Sequence, residues 1–203
     1  MAEPSVIFWD IGGVLLTNGW DREARRAAAK AFSLDWEEFQ DRHDFVADSF
    51  ERGETDLETY LTRTVFYRQR PFGREEFTRH IMSHSTAYPE ALDLVRRLRA
   101  SGRYVLATLN NESREINEHR IEAFGLRDLF HMFLSSCYLG VRKPDPEIYE
   151  MAIDIVQRPT TECLFIDDRD LNLECAVEAG IDTIHYEGLD GLLEELAGRG
   201  VRL

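Results

Sequence analysis

The chain has 203 residues, 43% of them hydrophobic and 31% charged, and a formal net charge of −14 at pH 7. Its length suits one compact domain with a core of its own and room for a smaller insert, and its composition is that of an ordinary globular protein. The acidic balance repels nucleic acid and anionic membranes, and apolar runs such as Val6–Trp9 and Cys163–Ile166 are far too short to cross a bilayer. The opening Met-Ala-Glu-Pro-Ser has neither the basic residues nor the apolar stretch of a secretory leader. The expected compartment is therefore the cytoplasm, with neither nucleic acid nor membrane as a partner. Cys137, Cys163 and Cys175 are an odd, sparse set without metal-type spacing, which argues against a disulfide framework. Cys163, inside an apolar run, reads as a core thiol.

In chain order, Ser5–Trp9 is a short apolar strand broken by Asp10-Ile-Gly-Gly13. From about Leu16 to Tyr88 the periodicity is helical: Arg22–Phe32, Leu34–Asp48, Asp56–Phe66 and Arg74–Ser83, with Pro71-Phe-Gly73 separating the last two and Asp56 a candidate cap. Arg63, Arg68, Arg70, Arg74 and Arg79, interleaved with Phe66, Tyr67 and Phe72, read as a solvated helix face and loop, or alternatively as a positive rim for an anion. After Pro89, which suits the first turn of a helix, strands and helices alternate. Helix 89–100 ends before Gly102, and strand Tyr104–Leu109 leads to helix Ser113–Phe124. Strand His131–Leu134, helix Pro146–Val156, strand Cys163–Ile166, a helix near Leu171–Ala179, strand Thr183–Tyr186 and helix Leu189–Leu196 complete the chain. Such alternation predicts an α/β fold: a Rossmann-like parallel sheet with helices on both faces. Residues 1–15 and 89–203 would form the core, and 16–88 a small inserted helical cap.

Chemistry concentrates at strand ends. Asp10 closes one strand and Asp167-Asp168 another, and in open α/β sheets ligands bind at the carboxyl edge. If those strands are neighbours, the carboxylates converge and raise one another's pKa unless a cation intervenes, and hard oxygen ligands favour Mg2+. The plainer reading of Asp167 and Asp168 is a helix cap. Lys143 lies in a loop ahead of the stiff Pro-Asp-Pro turn, where it is either surface decoration or a point charge for a phosphate. Asn110-Asn111, at the end of strand Tyr104–Leu109, offers turn chemistry or amide donors to phosphate oxygens.

Taken in order, these segments resemble the haloacid dehalogenase superfamily over nearly the whole chain. Val6-Ile-Phe-Trp-Asp10-Ile-Gly-Gly-Val-Leu15 looks like its first motif, Leu109-Asn110-Asn111 its second, Lys143-Pro-Asp-Pro its third and Phe165-Ile-Asp167-Asp168 its fourth. The details lie nearest the branch holding α-glucose-1-phosphate phosphatases and the phosphatase domain of mammalian epoxide hydrolases. The resemblance implies that Asp10 attacks phosphorus and carries an aspartyl-phosphate. It implies Mg2+ held by Asp10, the Gly12 carbonyl and Asp168, with Asp167 completing the metal site from behind. Lys143, Asn110 and Asn111 would hold the phosphoryl group. The expected partner is a small phosphorylated metabolite, a sugar phosphate among the candidates.

Two positions depart from the family pattern. The second aspartate of the first motif, usually the general acid and base, is Gly12 here, as in the glucose-1-phosphate branch. The usual Ser or Thr of the second motif is Asn110, with Thr108 reachable by a shift of two residues. The competing readings are a metal-free 2-haloacid dehalogenase, which the paired acids disfavour, and a non-catalytic phospho-ligand binder. Trp20 reads as cap packing ahead of a sugar-stacking surface.

Overall fold

The computed structural model describes residues 3–203. Strands β1 (Val6–Trp9), β2 (Val105–Asn110), β3 (Met132–Ser135), β4 (Cys163–Asp167) and β5 (Asp182–His185) form one parallel sheet in the order β3-β2-β1-β4-β5. All four residues of β1 are fully buried, which is why its sequence is an unbroken apolar run and not an alternation. The pleat nonetheless sends neighbours to opposite faces. Ile7 and Trp9 join a cluster with α5 (Pro89–Ser101), α6 (Arg114–Ala123) and α10 (Leu189–Gly198); Val6 and Phe8 join one with α8 (Pro146–Val156) and α9 (Asp170–Glu178). Helices therefore cover both faces, and the fold is α/β as the alternation predicts.

Between β1 and α5 the chain makes four helices, α1 (Arg22–Ala31), α2 (Trp36–Glu51), α3 (Leu57–Thr64) and α4 (Arg74–Met82). The Asp21, Asp35 and Asp56 carboxylates accept from the backbone N–H three residues on, capping the first three of them at 2.8, 2.9 and 2.7 Å. They bury their own cluster, with Trp20, Phe39, Phe50, Tyr60 and Phe77 at its centre. Entry and exit run side by side, Thr17 N–H donating to Thr86 O and Tyr88 N–H to Leu15 O. Trp20 is packing: its ring meets Phe39 and Phe77 edge-on and its Nε1 donates to the Tyr60 hydroxyl at 2.7 Å.

Short helix α7 (Ser136–Leu139), which periodicity did not predict, follows β3 directly and touches α2. Across this seam the Ser136 hydroxyl donates to Glu51 O at 2.6 Å, and Arg52 pairs with Asp145 at 2.8 Å. Gly53 sits there with φ +74, and a Cβ would strike the Cys137 carbonyl. The four-helix insert is thereby pinned beside the loop that carries Lys143.

Candidate active site

Register brings the acids together. Trp9 pairs with Ile166, so Asp10 and Asp167, one residue further on, leave the sheet side by side, and Asp10 N–H donates to Ile166 O at 2.9 Å. The sheet order reverses between β1 and β4, which is where a crevice opens at the carboxyl edge. Asp10, Asp167 and Asp168 each place a carboxylate oxygen within 4.8 Å of the others.

Lys143 lies between two of them. Its Nζ is 3.0 Å from Asp10 Oδ1 and 2.5 Å from Asp167 Oδ2, and the side chain is 2% exposed. Burial alone would lower its pKa, but Asp10 and Asp167 outweigh burial and hold it raised and charged. Burial pushes Asp10 up to about 6 against the pull of Lys143, with Asp167 and Asp168 adding to the rise. Burial, then Asp167, raises Asp168 too. The lysine reading as surface decoration is thus excluded by its burial.

The acids do different work. Asp167 is saturated: Oδ1 accepts from the Arg169 N–H at 2.8 Å and Asn172 Nδ2 at 3.0 Å, while Oδ2 takes Lys143 and Asn172. Asp168 has a buried Oδ1 without any protein partner. An orphaned buried carboxylate oxygen beside a second carboxylate suits a hard divalent cation, which would satisfy both. The donor set therefore fits Mg2+, with Asp10 and Asp168 as the carboxylates free to hold it.

Gly13, and not Gly12, is the glycine the backbone demands. It has φ +77, and a Cβ there would overlap the Asp168 carboxylate. Gly12 has no such φ, and a Cβ would only press the end of the Asn18 side chain, at 2.8 Å. Gly13→Ala should displace Asp168 and weaken Mg2+ binding by about ten- to a hundredfold, whereas Gly12→Ala should keep it nearly intact. Calorimetric Mg2+ titration of both variants checks this, and equal affinities would remove Asp168 from the metal site.

Both asparagine side chains are engaged by protein groups. Asn110 is 2% exposed; its Nδ2 donates to Asn117 Oδ1 at 3.1 Å and its Oδ1 accepts from Ser135 Oγ at 2.8 Å. Its amide is consumed in the packing of β2 against β3 and α6. Asn111 does border the cavity, but it clamps the lysine's main chain: Nδ2 donates to Lys143 O at 2.7 Å and Oδ1 accepts from Lys143 N–H at 2.8 Å. It positions Lys143. Thr108 is fully buried level with Trp9, back from the sheet edge.

Above Asp10 and Lys143 lies a cavity of about 370 Å3, walled on the far side by α1 and α2. Despite the acidic chain its wall is rich in cations: Arg22, Arg25, Arg120, Arg142, Lys143 and Arg169. None of the arginines between 63 and 79 lines it; Arg68 and Arg74 instead meet Glu38 and Glu58 on the outside of the insert. Arg120 is paired with Glu112 at 3.0 Å and donates to Thr17 O. His43 reaches the cavity from α2, its Nδ1 2.9 Å from the Tyr60 hydroxyl. Of this wall the sequence pointed to Lys143 and to the loop ending at Arg22, and missed Arg25, His43, Arg120, Arg142 and Arg169. Arg142 could have been found by its adjacency to Lys143, but Arg25 and His43 have no local signal.

The haloacid dehalogenase-like hydrolase family matches residues 4–180. Flavin mononucleotide hydrolase 1 of Arabidopsis thaliana is 28% identical over 80% of this chain, and the match spans 65% of that protein. The (S)-2-haloacid dehalogenase 4A of Burkholderia cepacia is 27% identical over 78% of this chain and 70% of its own length. Phosphatase MT3486 of Mycobacterium tuberculosis is 28% identical over 81% and 78% respectively. Among solved structures, a HAD family enzyme of Bacteroides thetaiotaomicron in complex with magnesium and inorganic phosphate superimposes with a TM-score of 0.76 at 24% identity, covering 91% of this chain and 94% of that one. Among the described residues no helix is long and apolar enough to cross a membrane.

Proposed function

The chain belongs to the haloacid dehalogenase-like hydrolase family, and on that premise we propose that it is a Mg2+-dependent phosphatase of small phosphorylated metabolites, working through an aspartyl-phosphate on Asp10. The observation that carries this reading is the buried Lys143 between Asp10 and Asp167, beside an Asp168 oxygen with no protein partner. A dehalogenase that works without metal has no use for that orphaned oxygen. The phosphate and magnesium bound by the structural neighbour, and the phosphatase among the relatives, point the same way.

In this mechanism an Asp10 oxygen attacks phosphorus, the P–O bond to the leaving group breaks, and water then cleaves the acyl phosphate to regenerate Asp10. Lys143 keeps Asp10 ionised and faces the phosphoryl charge; Asp167 and Asn111 hold the lysine, one at its ammonium and one at its main chain. Asp10, Asp168 and the Gly12 carbonyl would hold Mg2+, which would supply charge neutralisation for the phosphoryl group. The region from 16 to 88 serves as the cap that closes the cavity. With Gly12 in place of an acid, the leaving oxygen takes its proton from water or from the substrate. Esters of more acidic alcohols, anomeric sugar phosphates included, suffer least from that loss.

The test is phosphate release from a panel of phosphorylated metabolites, with Mg2+ and with EDTA. Activity should vanish in EDTA and return with Mg2+. Asp168→Ala should raise the Mg2+ needed for half-maximal rate, whereas Asp167→Ala should chiefly lower kcat through a misplaced Lys143. Release of halide from a 2-haloacid, undiminished by EDTA, would replace this reading with the dehalogenase.

A further inference from the structure

The structure buries several ionic side chains: Asp10, Arg25, Glu112, Arg120, Lys143 and Asp167. Five of them have an opposite charge within hydrogen-bonding range, in the Lys143 triangle and the Arg120–Glu112 pair. Arg25 is the exception. It is 8% exposed, and among the described residues no carboxylate lies within 4 Å of it. Its Nη1 donates to Trp20 O at 2.5 Å and its Nε to Gln40 Oε1 at 3.1 Å, both neutral acceptors. That leaves Nη2 for the cavity that Arg25 lines together with Asp10. Asp44, Asp21 and Glu51 act on it only from beyond contact distance, and a guanidinium taken out of water without a contacting counter-charge is costly.

The neighbour on α2 strengthens the case. The Tyr60 hydroxyl is fully buried and already accepts from Trp20 Nε1, so its own proton is satisfied by donation to His43 Nδ1. That places the His43 proton on Nε2. Burial, helped by Arg25, pushes the imidazole down to about 3, so His43 stays neutral. The insert thus offers the cavity a cationic fork and a neutral N–H donor, both calling for acceptors. The cavity, about 370 Å3, is on the scale of a small-molecule site.

Building on the phosphatase reading, we propose that Arg25 is a specificity-determining residue that binds a carboxylate on the leaving-group part of the substrate, with His43 as its neighbouring donor, so that the preferred substrates are small phosphorylated carboxylic acids. A planar carboxylate suits the guanidinium fork and supplies the contacting counter-charge Arg25 lacks.

Asp10→Asn protein, full length and with Mg2+, is titrated calorimetrically with two matched pairs: 2-phosphoglycolate against 2-hydroxyethyl phosphate, and 3-phosphoglycerate against glycerol 3-phosphate. Each pair differs only in carboxylate against hydroxymethyl. The acid of at least one pair should bind about tenfold tighter or more, the worth of a charge-assisted contact. Arg25→Met added to this background should abolish most of that preference by weakening the acid alone, and Arg25→Lys should restore part of it. Equal affinities within both pairs, no binding of either acid, or equal weakening of both partners by Arg25→Met would overturn the proposal. The comparison within each pair on Asp10→Asn stands even if Arg25→Met does not fold. Turnover by protein with Asp10 intact judges the phosphatase reading separately. Selective binding without turnover of any ester refutes catalysis and leaves the carboxylate site standing; turnover of all four with equal kcat/KM refutes the carboxylate site and leaves catalysis standing.

Discussion

Asp10→Asn is expected to abolish phosphate release from every substrate while leaving the fold intact. The amide is nearly isosteric with the carboxylate but is no nucleophile toward phosphorus, so residual rate should fall below about a thousandth of wild type. Stability should move the other way from activity. Burial holds the Asp10 carboxyl up at about 6 despite Lys143, so in metal-free protein at neutral pH the folded state disfavours the ionised form that the unfolded chain, at 3.8, prefers. An acid whose folded pKa is raised detracts from stability in full above about 6, and the penalty fades as pH falls from there toward the unfolded value of 3.8. Replacing it by a neutral amide removes the penalty. In EDTA at about pH 8 the variant should melt at or above the wild-type Tm, and Mg2+ should stabilise it less than it stabilises wild type. A variant that keeps a tenth of the rate would show that Asp10 is not the nucleophile.

Lys143→Ala should damage both function and fold. The ammonium touches Asp10 and Asp167 from a nearly sealed position, and Asp167 itself is fully buried. Removing one partner of a buried ion pair typically costs about 3–5 kcal/mol, because the other charge is left uncompensated. Protonation of the stranded Asp10, whose pKa burial already raises, softens this, so the lower end is expected. Turnover should fall far more than for an exposed lysine such as Lys30, because the cation facing the phosphoryl group is lost. Lys143→Arg should recover part of the stability but little of the rate, since a planar fork does not fit a site built for a point charge. Thermal melting and steady-state kinetics read the two effects. Wild-type kinetics in Lys143→Ala would remove the lysine from the mechanism.

The acid cluster was legible because it depends on local facts: an apolar strand that ends in an aspartate, and another that ends in two. What periodicity cannot state is register. The Trp9–Ile166 pairing turns separate strand ends into one site, and a slip of one residue would send Asp10 and Asp167 to opposite faces. Asn110 shows what else local pattern leaves open. Its place at the end of β2 was read well enough, yet its amide faces Asn117 and Ser135, contacts made across β3 and α6 that no local pattern encodes. The arginine-rich stretch is the solvated face it was first read as, Arg68 and Arg74 meeting Glu38 and Glu58; the alternative of a positive rim turned on which way the helix docks, and charge density along a helix does not say that.

By itself the sequence determined the alternation of strands and helices, the run of helices between Leu16 and Tyr88, and the residue types at the strand ends, since turn chemistry, capping and hydrophobic period are short-range properties. Only the tertiary structure decided which charges are sealed from water and which of those are matched. Lys143 is buried because two strands and a loop meet around it, and Asn111 holds it there by its main chain. Arg25 and His43 line the same cavity as the nucleophile because α1 and α2 wall it on the far side. Desolvation and pairing depend on neighbours distant in the chain, and they separate a surface lysine from one that holds a nucleophile in its charged state.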